Sequence, residues 1–390
     1  MATCSTFKES LFMKAIYLDH AATTPMSPSV IAAMTEAMTT VYGNASSIHS
    51  AGREARKVLD EARATLAQSI GAKPSEIMLT SGGTEADNTA IFGVAAARAH
   101  EGKHIITTQI EHHAVLHACE ALEKQGYTVT YLPVNEHGVV AVADVAAALR
   151  DDTILVTIMY GNNEVGAVQP IAAIGELLKN HRATFHTDAV QAYGLVPLNV
   201  DELHVDLLSV SAHKLNGPKG IGFLYARTGV KYSNLLYGGS QERKRRAGTE
   251  TVPAAVGFAT AVTEAAAKRD EAVAAYTRYR HILIETFTKA GLDFRINGEA
   301  GLAHVLNVTF VGTHVESFLV NLDMQGVLVS SGSACTAGSI DPSHVLVAMF
   351  GKDAEELRSS IRFSFGQGLT DEIIQDAANR VVAIVQRLVK

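Results

Sequence analysis

The sequence has few cysteines, only three in 390 residues. They are Cys4, Cys119 and Cys335, and no two of them have C-x-x-C spacing. An odd number without this spacing argues against a disulfide framework and against a zinc site. Cys119 lies in a helical pattern and is predicted to be a small buried side chain. Cys335 follows the loop-like residues 330–334, and loops are where reactive side chains are usually displayed.

The sequence also lacks a long apolar run. None approaches the roughly 18 to 20 residues that cross a bilayer, and the apolar stretch near the start is too short for a secretory signal. We therefore expect a cytoplasmic protein that does not contact membranes. Met13 could be the natural start, which would make residues 1–12 a dispensable tail.

Positive charge is not in excess, since the net charge is −7. Nonspecific nucleic-acid binding needs clustered positive charge, so we expect no direct contact with nucleic acid. The one basic run, Arg243 to Arg246, is either a solvated loop or a local anion site or partner contact.

Seven short apolar runs of β-forming residues lie between about residues 75 and 225, and amphipathic helical patterns separate most of them. The runs are 76–80, 104–108, 128–132, 153–160, 183–188, 206–211 and 220–226. Strands that are apolar on both faces and alternate with helices indicate a mainly parallel sheet covered on both sides. The expected fold class is α/β, with a doubly wound sheet.

The chain after about Pro253 has a different pattern. A long helix is predicted first, and the segments that follow are strand-like at 305–311, helical at 316–325, and strand-like at 327–331 and 361–365. Thr370 is the expected N-cap of a final helix. We predict a large domain at residues 25–262 and a smaller α+β domain made of residues 1–24 and 263–390.

Five of the predicted strands are followed directly by polar residues. These are Ser81 to Glu85, Gln109 to His113, Gly161 to Glu164, Asp188 with Gln191, and Ala212 to Lys214. Ligands bind at the carboxyl ends of the strands in such a sheet. The sequence therefore predicts a site at this edge.

Three of these motifs also have an ordinary structural explanation. The Gly82-Gly83 turn with Thr84 suits a phosphate or simply begins a helix, and it matches neither the P-loop nor the dinucleotide fingerprint. Lys214 suits Schiff-base chemistry or is a solvated loop residue. Asp188 suits a pyridinium nitrogen or caps a helix.

Two further features of the sequence, a pair of histidines and an arginine, also allow more than one interpretation. His113 and His117 have the i, i+4 spacing of metal ligands, but no cysteine is suitably placed beside them, and no metal is predicted. Arg362 lies in a strand pattern, where it either clamps a carboxylate or forms a surface ion pair.

Taken together, these segments strongly resemble the NifS/IscS-like cysteine desulfurases, which are class V aminotransferase-like enzymes of fold type I. The matching motifs are residues 17–25, 43–44, 80–88, 111–112, 162–166, 186–191, 211–214, 217–220, 246–249, 330–335 and 361–364. The resemblance covers nearly everything from Tyr17 onward and implies pyridoxal 5'-phosphate as the cofactor. One departure is Ala45, where the family usually has proline.

The resemblance implies a role for each site residue. Lys214 would bind the cofactor covalently and later move the Cα proton of the substrate. Asp188 would pair with the pyridine nitrogen, Gln191 would hydrogen-bond the ring hydroxyl oxygen, and His112 would stack on the ring as a proton shuttle. The other implied cofactor-binding residues are Gly83, Thr84, Ser211 and His213 and, from the second subunit of a homodimer, Thr249.

The implied reaction removes sulfur from L-cysteine, whose carboxylate Asn163 and Arg362 would hold. The Cys335 thiolate would attack the substrate sulfur, which leaves L-alanine and a persulfide on Cys335. Residues 335–346 resemble the long-loop branch of the family, which hands its sulfur to acceptor proteins such as iron–sulfur scaffolds or tRNA-thiolation enzymes. An aminotransferase, a selenocysteine lyase and a catalytically idle binding protein are the alternatives.

Overall fold

Strands and helices alternate along the chain in a computed structural model, which describes residues 15–298, 301–331 and 342–389. The strands are β1 (Ile16–Tyr17), β2 (Ile77–Thr80), β3 (His104–Thr108), β4 (Thr128–Leu132), β5 (Thr153–Thr157), β6 (Thr184–Asp188), β7 (Leu207–Ser211), β8 (Gly222–Ala226), β9 (Phe294–Asn297), β10 (Val305–Phe310), β11 (Val327–Leu328) and β12 (Ser360–Ser364). The helices are α1 (Pro28–Thr40), α2 (Ser50–Gln68), α3 (Gly83–Arg98), α4 (His113–Glu123), α5 (Val142–Ala148), α6 (Ile171–Leu178), α7 (Gln241–Lys244), α8 (Val252–Lys289), α9 (Val315–Met324), α10 (His344–Phe350), α11 (Glu356–Ser359) and α12 (Asp371–Leu388).

Seven strands form the main sheet in the order β2-β8-β7-β6-β5-β3-β4. Strand β8 is antiparallel to both of its neighbours, and the other neighbouring pairs are parallel. The six strands other than β8 therefore have their carboxyl ends at one edge. The prediction of a doubly wound, mainly parallel α/β sheet is confirmed.

Both faces of this sheet are apolar and covered by helices. Leu208 and Phe223 belong to one core, which includes residues of α2, whereas Leu207 and Leu224 belong to the core packed under α3 and α4. Burial of each such side chain contributes roughly 1.5–3 kcal/mol. Cys119 on α4 is fully buried in the second of these cores, as predicted.

A separate apolar core forms around a small antiparallel sheet with the order β12-β10-β9. Strand β1 pairs in parallel with β11, so the start of the chain joins the C-terminal elements. Helix α8 contributes Phe258 to the core of the main sheet and Phe287 to the second core. The predicted domain boundary between residues 262 and 263 falls inside this helix, and the division remains a prediction.

Several predicted bounds differ from those in the structure. The strand predicted at 153–160 ends at Thr157, although the N–H groups of Ile158 and Tyr160 still donate to carbonyls of β6. Strand β11 is shorter than predicted, and β9, α1 and α2 were not predicted at all. The cap at Thr370 is confirmed, because its hydroxyl accepts the N–H of Ile373 at 3.3 Å.

Within the described ranges, none of the helices has a stretch long and apolar enough to cross a membrane. Cys4, Cys335 and the tail predicted at residues 1–12 lie outside the described residues.

Candidate active site

A cavity of about 450 Å³ lies at the edge of the main sheet where the parallel strands end. Its volume is within the usual range for small-molecule and cofactor sites. It brings together these predicted site residues: Gly83, Thr84, His112, Asn163, Asp188, Gln191, Ser211, His213, Lys214 and Arg362. Residues separated by up to 279 positions therefore line one cavity.

Two predicted site residues are not among those that line it. Thr249 is exposed on the loop between α7 and α8 and does not line the cavity of its own chain. Arg246 holds this loop to the start of α3 by a pair of hydrogen bonds to Glu85, at 2.8 and 3.1 Å. Cys335 lies outside the part of the chain that the structure describes.

Lys214 follows β7 directly, in a single 3-10 turn formed by residues 212–214. Its Nζ donates to the carbonyl oxygens of Ala21 and Ala22, the latter at 2.9 Å. Burial, and then the positive charge of Arg362, lowers the pKa of Lys214 to about 8. A lysine with such a pKa is partly neutral near physiological pH, and the neutral amine is the form that attacks a carbonyl group.

Asp188 is the last residue of β6, and its Oδ1 accepts the N–H of Val190 at 2.9 Å. Burial raises the pKa of Asp188 above its usual range. A buried carboxylate is costly unless a cation or donors compensate it. Asp188 is therefore suited to a cationic ring nitrogen.

His112 is the N-cap of α4, and its Nδ1 accepts the N–H of Ala114 at 3.1 Å. The neutral ring then carries its proton on Nε2. Burial, together with the charges of Lys214 and the neighbouring histidines, lowers the pKa of His112 to about 4. The ring is therefore neutral at physiological pH.

Three more histidines lie beside His112. The ring centroid of His113 is 4.9 Å from that of His117 and 4.8 Å from that of His344. Within the described ranges, no three histidine, cysteine or acidic side chains converge in a way that could hold a metal ion.

The N-terminus of α3 forms another wall of the cavity. Its N-cap is Gly82, which has a φ of 152° and no side chain to bind the free N–H groups. A Cβ atom at Gly83 would lie 2.9 Å from Val190 Cγ2, so only glycine fits there without a shift. Free N–H groups at a helix N-terminus, with Thr84, Ser211 and His213 nearby, suit a phosphate group.

Arg362 lies on β12 and reaches the cavity from the small sheet. Its Nη2 contacts Asp19 Oδ1 at 2.6 Å, and its Nη1 donates to the carbonyl oxygen of Asn163 at 2.9 Å. Its buried Nε has no hydrogen-bond partner among the described residues. A buried guanidinium with an unused N–H suits a carboxylate ligand.

Similarity to known proteins decides the family. Residues 16–376 match the model described as aminotransferase class-V. An IscS-type protein of Bacillus subtilis strain 168 is 60% identical over 378 residues, which are 96% of this chain and 100% of that protein. The cysteine desulfurase IscS of Methanosarcina thermophila is 48% identical over 96% of this chain and 93% of its own length. A solved NifS-like protein has a TM-score of 0.90 at 34% identity and covers 96% of this chain and 100% of its own.

The chain belongs to the cysteine desulfurases of the class-V aminotransferase family. The resemblance read from the sequence, the fold type, the enzyme class and the pyridoxal phosphate cofactor are thereby confirmed. The polar groups in the cavity of the desulfurase fit this cofactor, because they include a lysine of lowered pKa, a buried carboxylate and an open helix N-terminus. The roles of the individual residues remain predictions.

Sequence reasoning gave no role to three buried carboxyl groups that line or support the site of the desulfurase, although Glu111 and Glu164 lie in the polar segments predicted at the sheet edge. Glu111 accepts the hydroxyl of Thr108 at 2.7 Å and the N–H of Met159 at 3.0 Å, and burial raises its pKa to about 8. Asp87 and Glu164 are also buried, and burial raises both pKa values. All three belong to the motifs that carry the family resemblance, and this was the signal that could have identified them.

The desulfurase has another cavity, of about 790 Å³, at the opposite edge of the sheet. Its arginines are already paired within the chain. Arg98 and Arg182 both donate to Glu101, and Arg227 donates to Asp201. These carboxylates largely neutralise the positive charges of the arginines. We therefore expect the reaction of the desulfurase at the edge of the sheet that carries Lys214.

Proposed function

We propose that this cysteine desulfurase transfers the sulfur of L-cysteine to the Cys335 thiol and releases L-alanine. The observation that carries the proposal is the shared cavity of Lys214 and Arg362. The first offers an amine of lowered pKa, and the second offers a buried N–H for a carboxylate. An amino acid in this cavity would place its carboxylate at Arg362 and its amine at the cofactor that Lys214 would hold.

The cofactor, when bound, withdraws electrons from the bonds to the Cα atom and weakens the bond between Cβ and sulfur. Lys214 is the proposed residue that holds it and then moves the Cα proton. Asp188, as a carboxylate, would keep the ring nitrogen protonated. Thr84, Ser211 and His213 are the proposed phosphate ligands.

Arg362 and Asn163 are the proposed residues that orient the substrate. Asp19 and the carbonyl oxygen of Asn163 hold two nitrogens of the guanidinium group, so its position is fixed before a ligand arrives. Preorganised charge of this kind costs little reorganisation when the substrate binds. His112 remains the proposed proton shuttle, and its neutral ring presents Nε2–H.

Sulfur transfer requires Cys335 as a thiolate, because a thiol is a poor nucleophile. The bond between Cβ and sulfur breaks, and a sulfur–sulfur bond forms on Cys335. We propose that the persulfide then passes in the cytoplasm to an acceptor protein, either an iron–sulfur scaffold or a tRNA-thiolation enzyme.

A homodimer is part of the proposal. Thr249 does not line the cavity of its own chain, yet its loop is tied by Arg246 to the phosphate-binding end of α3. Three large apolar side chains, Tyr42, Ile48 and Tyr237, are 84%, 91% and 81% exposed. Exposed apolar groups of this size support a protein contact, through which Thr249 would reach the phosphate of the partner's site.

Mixed dimers test this contact. A Lys214→Ala chain is expected to be inactive, and a Thr249→Ala chain is expected to bind pyridoxal phosphate about tenfold or more weakly, because a hydrogen bond to a charged group is lost. Co-expression should restore one intact site in each mixed dimer. At limiting cofactor, the mixture should turn over cysteine faster than the sum of the two parents. Activity equal to that sum would contradict the shared site.

The function itself is tested by supplying L-cysteine with a thiol reductant and no keto acid. We expect equal amounts of L-alanine and sulfide, because the desulfurase returns its cofactor without an amino-group acceptor. An aminotransferase would stop without a keto acid, and a selenocysteine lyase would turn over selenocysteine but not cysteine. Either result would contradict the proposal.

A further inference from the structure

The side-chain amide of Gln191 is held from two sides. Its Nε2 donates to the carbonyl oxygen of Ala21 at 2.9 Å, and its Oε1 lies 3.1 Å from His304 Nε2. A carbonyl oxygen only accepts, so the amide nitrogen must face Ala21 and the amide oxygen must face His304. His304 must therefore carry its proton on Nε2 and donate it to Gln191.

His304 is well placed to keep this orientation. The side chain is buried, and burial lowers the pKa of His304 to about 3, so the ring is neutral and has one N–H to donate. His304 directly precedes β10, and its carbonyl oxygen accepts the N–H of Phe365 at 2.8 Å, just beyond β12. The hydrogen-bonded pair of β10 and β12 thus fixes the backbone at His304.

The contact determines what Gln191 can offer to a ligand. With one amide N–H on Ala21 and the amide oxygen on His304, a single N–H is left for the cavity that Gln191 lines. We propose that His304 is a positioning residue that holds Gln191 so that its free N–H, and not its oxygen, serves the ring oxygen of the cofactor. This inference rests on the proposed role of Gln191.

The same carbonyl oxygen links this contact to the lysine. Ala21 accepts from Gln191 and also from Lys214 Nζ. If the amide turned over, its single oxygen would face both the carbonyl oxygen of Ala21 and the negatively charged ring oxygen. His304 prevents this arrangement because it satisfies the amide oxygen on the side away from the cofactor.

Two amide substitutions separate this role from simple packing. In His304→Gln, the side-chain nitrogen can occupy the place of Nε2, whereas in His304→Asn it can occupy only the place of Nδ1. Both are neutral and polar. The measurement is the midpoint pH of the visible absorption change of the cofactor-loaded protein, since a donor to the ring oxygen stabilises its deprotonated form.

We expect His304→Asn to raise this midpoint by about half a unit to one unit, which corresponds to the loss of one hydrogen bond. His304→Gln should stay within a few tenths of a unit of the wild type. The shift should disappear in a Gln191→Met background, because His304 acts only through Gln191. Equal midpoints for the two His304 variants, or a shift that persists without Gln191, would overturn the inference.

A failure of the proposed role of Gln191 would give a different result from a failure of the inference about His304. If Gln191→Met alone left the midpoint unchanged, Gln191 would not serve the ring oxygen, and both the role and the inference would fall. If Gln191→Met moved the midpoint and His304→Asn did not, only the inference about His304 would fall. Should His304→Asn not fold, His304→Leu provides the test. Leucine fills the buried space but donates no hydrogen bond to Gln191, so a wild-type midpoint in His304→Leu would overturn the inference.

Discussion

Replacement of Lys214 by alanine is expected to lower cysteine turnover by about a thousandfold or more. The variant loses both the amine that holds the cofactor and the base that moves the Cα proton, and positioned proton transfer alone contributes roughly 10²–10⁴-fold. Borohydride reduction of the loaded protein should attach the cofactor to Lys214 in the wild type and to no lysine in the variant. Peptide mass spectrometry reads out the attachment.

Lys219 provides the matched control, since it is exposed and lies five residues further along the chain. Lys219→Ala should keep nearly full turnover and normal cofactor attachment. The rate at which cofactor-free wild-type protein takes up pyridoxal phosphate should rise with pH and level off above about 8, because the neutral amine of Lys214 is the reacting form. A rate that kept rising to pH 10 would contradict the lowered pKa, and full activity of Lys214→Ala would contradict the site.

Replacement of Cys335 by serine is expected to lower sulfide release by about a hundredfold or more. Serine keeps the shape of the side chain, but its hydroxyl does not accept sulfur as a thiolate does. Cofactor binding and its absorption spectrum should be unchanged, because Cys335 is not among the proposed cofactor ligands. The measurement is sulfide release in the presence of a thiol reductant.

Cys119→Ala is the control for this variant. Cys119 is fully buried on α4, and burial raises the pKa of its thiol far above the ordinary value, so it cannot act as a nucleophile. Its loss should affect packing slightly and leave sulfide release close to that of the wild type. The proposed assignment would be reversed if Cys119→Ala lost sulfide release but bound the cofactor normally, while Cys335→Ser kept its sulfide release.

The main sheet could be predicted because its strands are short apolar runs of β-forming residues that helical patterns separate. The edge of the sheet that carries the site could be predicted from the polar residues that follow five of the strands, and Lys214, Asp188 and His112 line one cavity there. Strand β9 was missed because its central residues, Arg295 and Ile296, are exposed, and no apolar alternation marks it.

Contacts between distant parts of the chain could not be predicted from the pattern. Gln191 and His304 are 113 residues apart, and neither position has a local feature that points to the other. The contact of Arg362 with Asp19 spans 343 residues. Local periodicity determines elements and their faces, but such pairings depend on how the small sheet packs against the main one.

The most direct test of the account is to locate the sulfur after one turnover. The loaded protein is mixed with one equivalent of cysteine labelled with a heavy sulfur isotope, free thiols are blocked, and the peptides are analysed by mass spectrometry without reduction. The account predicts one labelled sulfur atom on the peptide that contains Cys335 and none on the peptides that contain Cys4 or Cys119. Labelled sulfur on another cysteine, or alanine formed with no labelled sulfur on Cys335, would contradict it.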